Sequence, residues 1–175
     1  MASTSSVGMQ PPTPGIYVID PRRSQVRFDT RHMFGLAPVH GTFDIGRGQI
    51  TMAEQVTGSS AEAVILAGSF ATGNRRRDAD VRSAKYLHTE AHPEIVFRSK
   101  QAEQSGDGWM LHGDLSVRGQ TRPVSLAISS ARGTDDGAAF EATTTIDRYA
   151  FGITSGKGMT GRHLTLTLDI VADRQ

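Results

Sequence analysis

Cysteine is absent from this chain of 175 residues. Its absence excludes disulfides, thiolate catalysis, iron–sulfur clusters and Cys-ligated zinc. Long apolar runs are missing too, since no segment approaches the ~18 consecutive apolar residues that a membrane-spanning helix needs. The opening sequence MASTSSVGMQPPTPG has neither a basic region nor an apolar stretch, so it lacks the pattern of a secretory signal. We therefore expect a cytoplasmic protein.

A strong net charge is also missing. The formal charge is +1 and the mean hydropathy is −0.32, values typical of a soluble protein. From these values we expect no nucleic-acid partner and no strong attraction to anionic membranes. The longest basic run, Arg75–Arg77, is interpreted as a solvated loop or an anion site.

The chain length suits one domain with a substantial core. Residues 1–14 are rich in Ser, Thr and Pro and are predicted to form a flexible tail. Residues 15–175 are predicted to form the single domain. Its oligomeric state, a homodimer included, is left open by the sequence.

Apolar and polar residues alternate along most of the chain, which is the period of strands with one buried face. The pattern predicts roughly eight strands, the number at which an antiparallel barrel closes around one small ligand. The predicted fold class is therefore all-β. The alternating apolar stripes are Val26/Phe28, Val39/Phe43/Ile45, Val64/Leu66/Phe70, Ile95/Phe97, Trp109/Leu111/Leu115/Val117, Val124/Leu126/Ile128, Phe140/Ala142/Ile146 and Leu164/Leu166/Leu168/Ile170.

Turn signals such as Gly46–Gly48 separate these stripes. One segment has helical spacing instead. The predicted helix covers about residues 78–88, with Asp78 or Asp80 as its cap. Pro93 prevents its continuation.

The stripes leave two outcomes open: bulky side chains fill the barrel, or smaller ones leave a dry cavity. Small residues within the stripes favour empty space, and apolar ligand surface would be stabilised there by about 25 cal/mol per Å². These small residues are Gly41, Gly68, Gly113, Ala142 and Thr144.

Two short motifs suggest chemistry but lack its context. Residues 156–161 match G-x-G-x-x-G, yet a predicted strand follows where a dinucleotide site needs a helix. Potential zinc ligands occur at alternate positions in His88, Glu90 and His92. We favour a different interpretation, in which these residues form a solvated turn before Pro93.

Two other function classes stay open beside ligand binding. A haem or metal barrel would need one of the scattered histidines at a cavity mouth. An enzyme acting on a lipid-like substrate would need two acid or base groups to converge inside the barrel. The candidates are His32, His112, Asp114 and Asp147. We assign no catalytic residue, no metal ligand and no cofactor.

The segment 77–99 and its flanks resemble the signature of the YceI-like family. The resemblance covers about residue 15 to the end, and its order and spacing are more specific than any one motif. The matching positions include Tyr17–Asp20, Ser24–Phe28, Gly41–Phe43, Gly48–Ile50, Arg77–Asp78, Val81–Ser83, Tyr86–Leu87, His92–Ile95, Phe97–Ser99, Gly113–Leu115, Gly119–Val124 and Ile146–Gly152.

The resemblance implies a lipocalin-like barrel that binds, stores or carries a polyisoprenoid, such as an isoprenoid quinone or polyprenyl lipid, without catalysis. The predicted cavity lining is Phe28, Phe43, Leu66, Phe97, Trp109, Leu111, Leu126, Phe140, Leu166 and Leu168. The predicted head-group contacts or helical lid are Arg77, Asp78, Arg82, Tyr86 and Leu87.

Overall fold

The alternating segments form strands that pair edge to edge. A computed structural model describes residues 9–33 and 35–175 of the chain. The elements are β1 (Met9–Gln10), β2 (Gly15–Ile19), β3 (Gln25–His32), β4 (Ala37–Met52), a 3-10 turn (Val56–Gly58), β5 (Ser60–Ala71), α1 (Arg75–Arg82), β6 (Glu94–Ser105), β7 (Gly108–Val117), β8 (Gln120–Gly133), β9 (Gly137–Asp147), a 3-10 turn (Arg148–Phe151) and β10 (His163–Arg174).

The strands close into a ring. Each strand from β4 to β10 pairs antiparallel with the next along the chain, and β10 also pairs with β2 and β3. Gly15 of β2 lies opposite Met52, and His32 of β3 lies opposite Ala37, so β2 and β3 follow each other along β4. They act as one interrupted strand, which confirms the predicted eight-stranded antiparallel barrel.

Antiparallel pairing places successive connections alternately at the two ends of the barrel, here called the helix end and the hairpin end. The helix end carries the β3–β4 and β7–β8 connections together with residues 72–93 and 148–162. The hairpin end carries residues 53–59, 106–107 and 134–136. No helix within the described ranges is long and apolar enough to cross a bilayer.

The helix begins and ends earlier than the predicted 78–88. Asn74 caps it by accepting a hydrogen bond from the Arg77 backbone N–H at 3.0 Å, so Asp78 and Asp80 are not its cap. Ser83 is extended and ends the helix, and turns follow. Arg75–Arg77 is therefore the first helical turn and not the predicted loop.

The predicted turn at Gly46–Gly48 is wrong, because these residues lie within the long strand β4. The register shifts between Ile45 and Arg47, as at a β-bulge. A Cβ at Gly48 would lie 2.5 Å from the Ile19 side chain. Glycine here allows a close approach within the strand.

The described part of the predicted tail is attached to the barrel. β1 pairs in parallel with residues 131–132 of β8. The Tyr17 hydroxyl donates a hydrogen bond to the Thr13 carbonyl at 2.6 Å. The flexibility of residues 1–14 stays a prediction, and residues 1–8 lie outside the described residues.

Strand β5 changes the parity of its inward side chains. Phe70 is buried, but Leu66 is 40% exposed on the outer face, so its predicted place in the cavity lining is wrong. The cause is an irregularity: Ala71 pairs with Thr42, whereas Leu66 pairs with Asp44. Five residue steps in β5 thus face two steps in β4, and because an odd number of added residues inverts a strand's facing pattern, Ile65 faces the core instead.

This parity predicts opposite results for two adjacent substitutions. We expect Ile65→Ala to lower the free energy of unfolding by about 2–4 kcal/mol, because it leaves a cavity in the core. We expect Leu66→Ala to lower it by less than about 1 kcal/mol, as is usual for the surface. Urea denaturation of both variants checks the assignment, and equal losses would contradict it.

Candidate ligand-binding cavities

The barrel interior contains an apolar cavity toward the hairpin end, with a free volume of about 130 Å³. Of the described residues, Ser59, Ser60 and Glu62 provide its polar lining. Water in an apolar cavity finds too few hydrogen-bond partners, so such a cavity favours an apolar occupant. The predicted lining residues found here are Phe97, Trp109, Leu111, Leu126, Phe140 and Leu168.

Alanines create this space, and the three predicted glycines do not line it. A Cβ at Gly41 would collide with the Phe28 ring, and one at Gly113 would lie 2.8 Å from the Phe97 ring. These two glycines therefore make room for neighbouring aromatic rings, while Gly68 is exposed. The alanines that line the cavity are Ala61, Ala63, Ala102, Ala131 and Ala142.

A second cavity, with a free volume of about 150 Å³, lies toward the helix end. The rings of Phe28, Phe43 and Phe70 pack with centroids 5.0–5.7 Å apart and form part of its wall. Its lining is more polar than that of the first cavity. The polar and charged contributors are Thr30, His32, Arg77, Asp80, Tyr86, Arg148 and Thr160.

Leu166 divides the two spaces. On the inward stripe of β10, Leu164 lines the second cavity and Leu168 lines the first. Leu166 lies between them, packs against the core and lines neither cavity. Of the other predicted lining residues, Phe28 and Phe43 belong to the second cavity.

Arg148 is a buried cation at the second cavity that sequence reasoning did not identify. Its side chain is 6% exposed and donates hydrogen bonds to the carbonyls of Gly161 at 2.7 Å, Ile153 at 2.8 Å and Thr160 at 3.2 Å. The guanidinium also lies 5.6 Å from the Tyr86 ring centroid. Burial lowers the pKa of Arg148 from its ordinary value, and the carbonyl dipoles compensate its charge.

The adjacent Asp147 forms an ion pair with Arg162 near the outer surface. Both carboxylate oxygens accept hydrogen bonds from the Arg162 guanidinium at 3.0 Å, and the backbone N–H of Tyr149 donates another. The hydrogen bonds from Arg162 are the main cause that lowers the pKa of Asp147 below its usual value. The pair fastens the start of the β9–β10 connection to its end.

The lowered pKa makes this pair a source of acid sensitivity. The native state favours the ionised Asp147, so its contribution to stability is present above the unfolded pKa of about 3.9 and is lost as the pH falls through the folded pKa. We expect Asp147→Asn to lower stability at pH 7 and to flatten its decline below about pH 4. Urea denaturation across this range measures both effects, and an unchanged acid slope would contradict the assignment.

The predicted head-group residues separate into two groups. Arg77, Tyr86 and Leu87 line the second cavity. Asp78 is buried and accepts hydrogen bonds from the backbone and hydroxyl of Thr72. Asp78 therefore ties α1 to the end of β5 and lines neither cavity.

Arg82 is also engaged within the chain. Its guanidinium donates a hydrogen bond to the Phe70 carbonyl at 2.5 Å, while its Nε is buried without a partner among the described residues. Arg82 lines neither cavity. By contrast, within the described structure the Arg77 side chain has no carboxylate within ion-pair distance.

The groups that the enzyme alternative requires do not converge. His112 contacts Glu103 and Ser125, and Asp114 forms an ion pair with Lys100 at 2.9 Å, both on the outer side of β7. Asp147 is engaged by Arg162, and only His32 lines a cavity. These four residues therefore do not meet the requirement of the enzyme alternative that two of them converge inside the barrel.

The histidine motif of the sequence forms a turn. The rings of His88 and His92 pack edge to face with centroids 5.7 Å apart, and the His92 backbone donates to the His88 carbonyl at 2.9 Å. Across residues 9–33 and 35–175, no group of three His, Asp or Glu side chains is arranged to hold a metal ion.

Sequence comparison supports the resemblance drawn from the motifs. A UPF0312 protein of Pectobacterium carotovorum subsp. carotovorum is 28% identical over 156 residues, which cover 86% of this chain and 81% of that protein. A UPF0312 protein of Serratia proteamaculans is 29% identical over 151 residues, which cover 83% of this chain and 78% of that protein.

Solved structures share the fold at lower identity. BcnA of Burkholderia cenocepacia superposes with a TM-score of 0.78 at 18% identity, covering 87% of this chain and 98% of BcnA. A polyisoprenoid binding domain from Saccharophagus degradans gives 0.71 at 13% identity, covering 91% and 98%. The sequence profile of the YceI-like domain matches residues 17–172, and the chain therefore belongs to the YceI-like family.

Proposed function

We propose that this protein binds a long apolar ligand, most simply a polyisoprenoid chain, and stores or carries it without changing it. The observation that carries the proposal is the apolar cavity inside a closed YceI-like barrel. The Saccharophagus degradans domain of the same fold, described as polyisoprenoid binding, supports the choice of ligand class.

The energetics favour a hydrocarbon occupant. Each methylene group removed from water gains about 0.8 kcal/mol, so several isoprene units provide substantial affinity without a polar anchor. Alanine walls provide the width, and the bulkier Trp109 and Phe140 provide contact surface.

We further propose that the polar end of the ligand reaches the second cavity. Arg77 offers a guanidinium fork suited to a phosphate or quinone oxygen, and Tyr86 and Leu87 would lie over it. A ligand that occupies both spaces must pass the level of Leu166. A Leu166→Trp substitution would therefore shorten the longest chain that binds.

Native mass spectrometry tests the proposal directly. The protein is purified from its own host, the mass of any bound molecule is recorded, and the extract is identified. We expect near one-to-one occupancy by an isoprenoid lipid. Delipidated protein should then take up isoprenoid quinones or polyprenols of matching length.

The control is a straight-chain fatty acid of similar length, which tests whether isoprenoid branching matters. Failure of delipidated, folded protein to bind any isoprenoid, fatty-acyl or quinone ligand would contradict the proposal. Binding of the fatty acid alone would contradict the ligand class while keeping the apolar cavity as the site.

A further inference from the structure

Large apolar side chains are exposed together at the helix end. Leu36 is 83% exposed, Met159 is 52% and Met33 is 50%, the highest values among the large hydrophobic residues that the structure describes. The Met33 backbone N–H donates to the Met159 carbonyl at 2.8 Å, and the Leu36 N–H donates to the Met33 carbonyl. These three residues, here called the apolar tip, therefore project from two joined loops.

The backbone of the tip is unusual for such side chains. Met33 has a φ of 51° in the left-handed region, which bulky residues rarely occupy. Asparagine or glycine would serve a turn of this shape at less cost. A bulky apolar residue held in this conformation and exposed to water points to a function for its side chain.

The end of the barrel that carries the tip is rich in positive charge. The connections at the helix end contain nine Arg and Lys residues against three Asp and Glu. Those at the hairpin end contain four Asp and Glu and no Arg or Lys. The formal charge of +1 for the whole chain conceals this asymmetry.

Three of these cations, together with Arg31 at the end of β3, are free to meet an external anion. Arg75 and Arg76 are exposed in the first turn of α1, and Arg31 and Lys157 are exposed beside the tip. Among the described residues, none of the four has a carboxylate within 4.0 Å. Other surface arginines do have one, as in the ion pairs of Arg23, Arg27 and Arg162. Their charge is therefore directed outward and is uncompensated locally.

We propose that the helix end docks onto an anionic lipid bilayer, with the apolar tip inserted at the interface and the surrounding cations against the headgroups. Exposed apolar side chains within a basic surface match the layered chemistry of a bilayer, in which anionic headgroups cover hydrocarbon. A nucleic acid would match the cations but leave Leu36 in water.

The docked orientation also has a geometric consequence. His32 precedes Met33 and Thr160 follows Met159, and both line the second cavity. Docking therefore brings this cavity to the bilayer surface. The proposal holds whichever ligand the barrel contains, because it rests on surface residues outside both cavities.

Vesicle sedimentation tests the proposal with the full chain. Vesicles of phosphatidylcholine alone are compared with vesicles that also contain about 30% phosphatidylglycerol, at low and high salt. We expect binding to the anionic vesicles only, weakened by salt because surface charges are screened.

Two matched pairs of variants separate the two components. Leu36→Ser should weaken binding about tenfold, whereas Leu66→Ser, the same change on the barrel wall, should leave it unchanged. The double change Arg75→Ser and Arg76→Ser should also weaken binding about tenfold or more. Arg22→Ser with Arg132→Ser, which leaves the same net charge, should have little effect.

Three outcomes would overturn the proposal. One is equal binding to neutral and anionic vesicles, or none to either. Another is an equal loss in both members of a matched pair. The third is binding to duplex DNA without binding to vesicles, which would make the basic end a polyanion site. Circular dichroism confirms that each variant is folded.

Discussion

Filling the first cavity should abolish ligand binding while the barrel remains folded. Ala63→Leu combined with Ala142→Leu adds two isobutyl groups where the wall now has methyls. Together they displace about six methylene-sized groups of the ligand, each worth ~0.8 kcal/mol, so we expect the dissociation constant to rise more than a hundredfold. Titration of delipidated protein with an isoprenoid quinone, followed by tryptophan fluorescence of Trp109, measures the change.

The control makes the same change outside the barrel. Ala127 of β8 lies on the outer side and lines neither interior cavity, so Ala127→Leu should leave the dissociation constant unchanged. Overpacking costs typically about 1–3 kcal/mol of stability, so urea denaturation must show that the double variant is folded. Unchanged affinity in the folded double variant would show that the ligand occupies another place.

Replacing Arg148 should cause a large loss of stability. Arg148→Met removes the N–H groups that donate hydrogen bonds to three backbone carbonyls, those of Ile153, Thr160 and Gly161. Unsatisfied buried acceptors cost about 1–3 kcal/mol each. Part of this cost is offset because the variant no longer buries a charged group, so we expect the free energy of unfolding to fall by about 3 kcal/mol. Arg148→Lys should restore little, since an ammonium cannot reach three divergent carbonyls.

Urea denaturation measures this loss, and limited proteolysis shows where it acts. We expect new cleavage within residues 152–162, because the guanidinium binds three carbonyls of this connection. Arg22→Met, at an exposed site, serves as the control and should change stability by less than about 0.5 kcal/mol. A loss below about 1 kcal/mol for Arg148→Met would contradict the role assigned to the three hydrogen bonds.

The eight-stranded barrel could be predicted because strand alternation is a local signal. Each apolar stripe of the sequence corresponds to one strand of the barrel. Because β2 and β3 together act as one interrupted strand, the number of strands stays at eight. The parity of β5 could not be predicted, because the irregularity between Leu66 and Ala71 depends on how Thr42 and Asp44 pair across the strands. The sequence alone contains no mark of that shift.

The candidate site could also be predicted only in part. Phe97, Trp109 and Leu168 line the first cavity as their stripes predicted. Arg148 was missed because its importance depends on carbonyls five to thirteen residues later, brought back by a loop.

The pairing of β10 has a consequence for biosynthesis. This strand joins β9 to β2 and β3, so the ring has no closure until its residues are available. Until β10 has left the ribosome, the emerging chain presents two unpaired strand edges. Such long-range pairing is slow to form, so the interval before β10 pairs is when this protein most needs a chaperone.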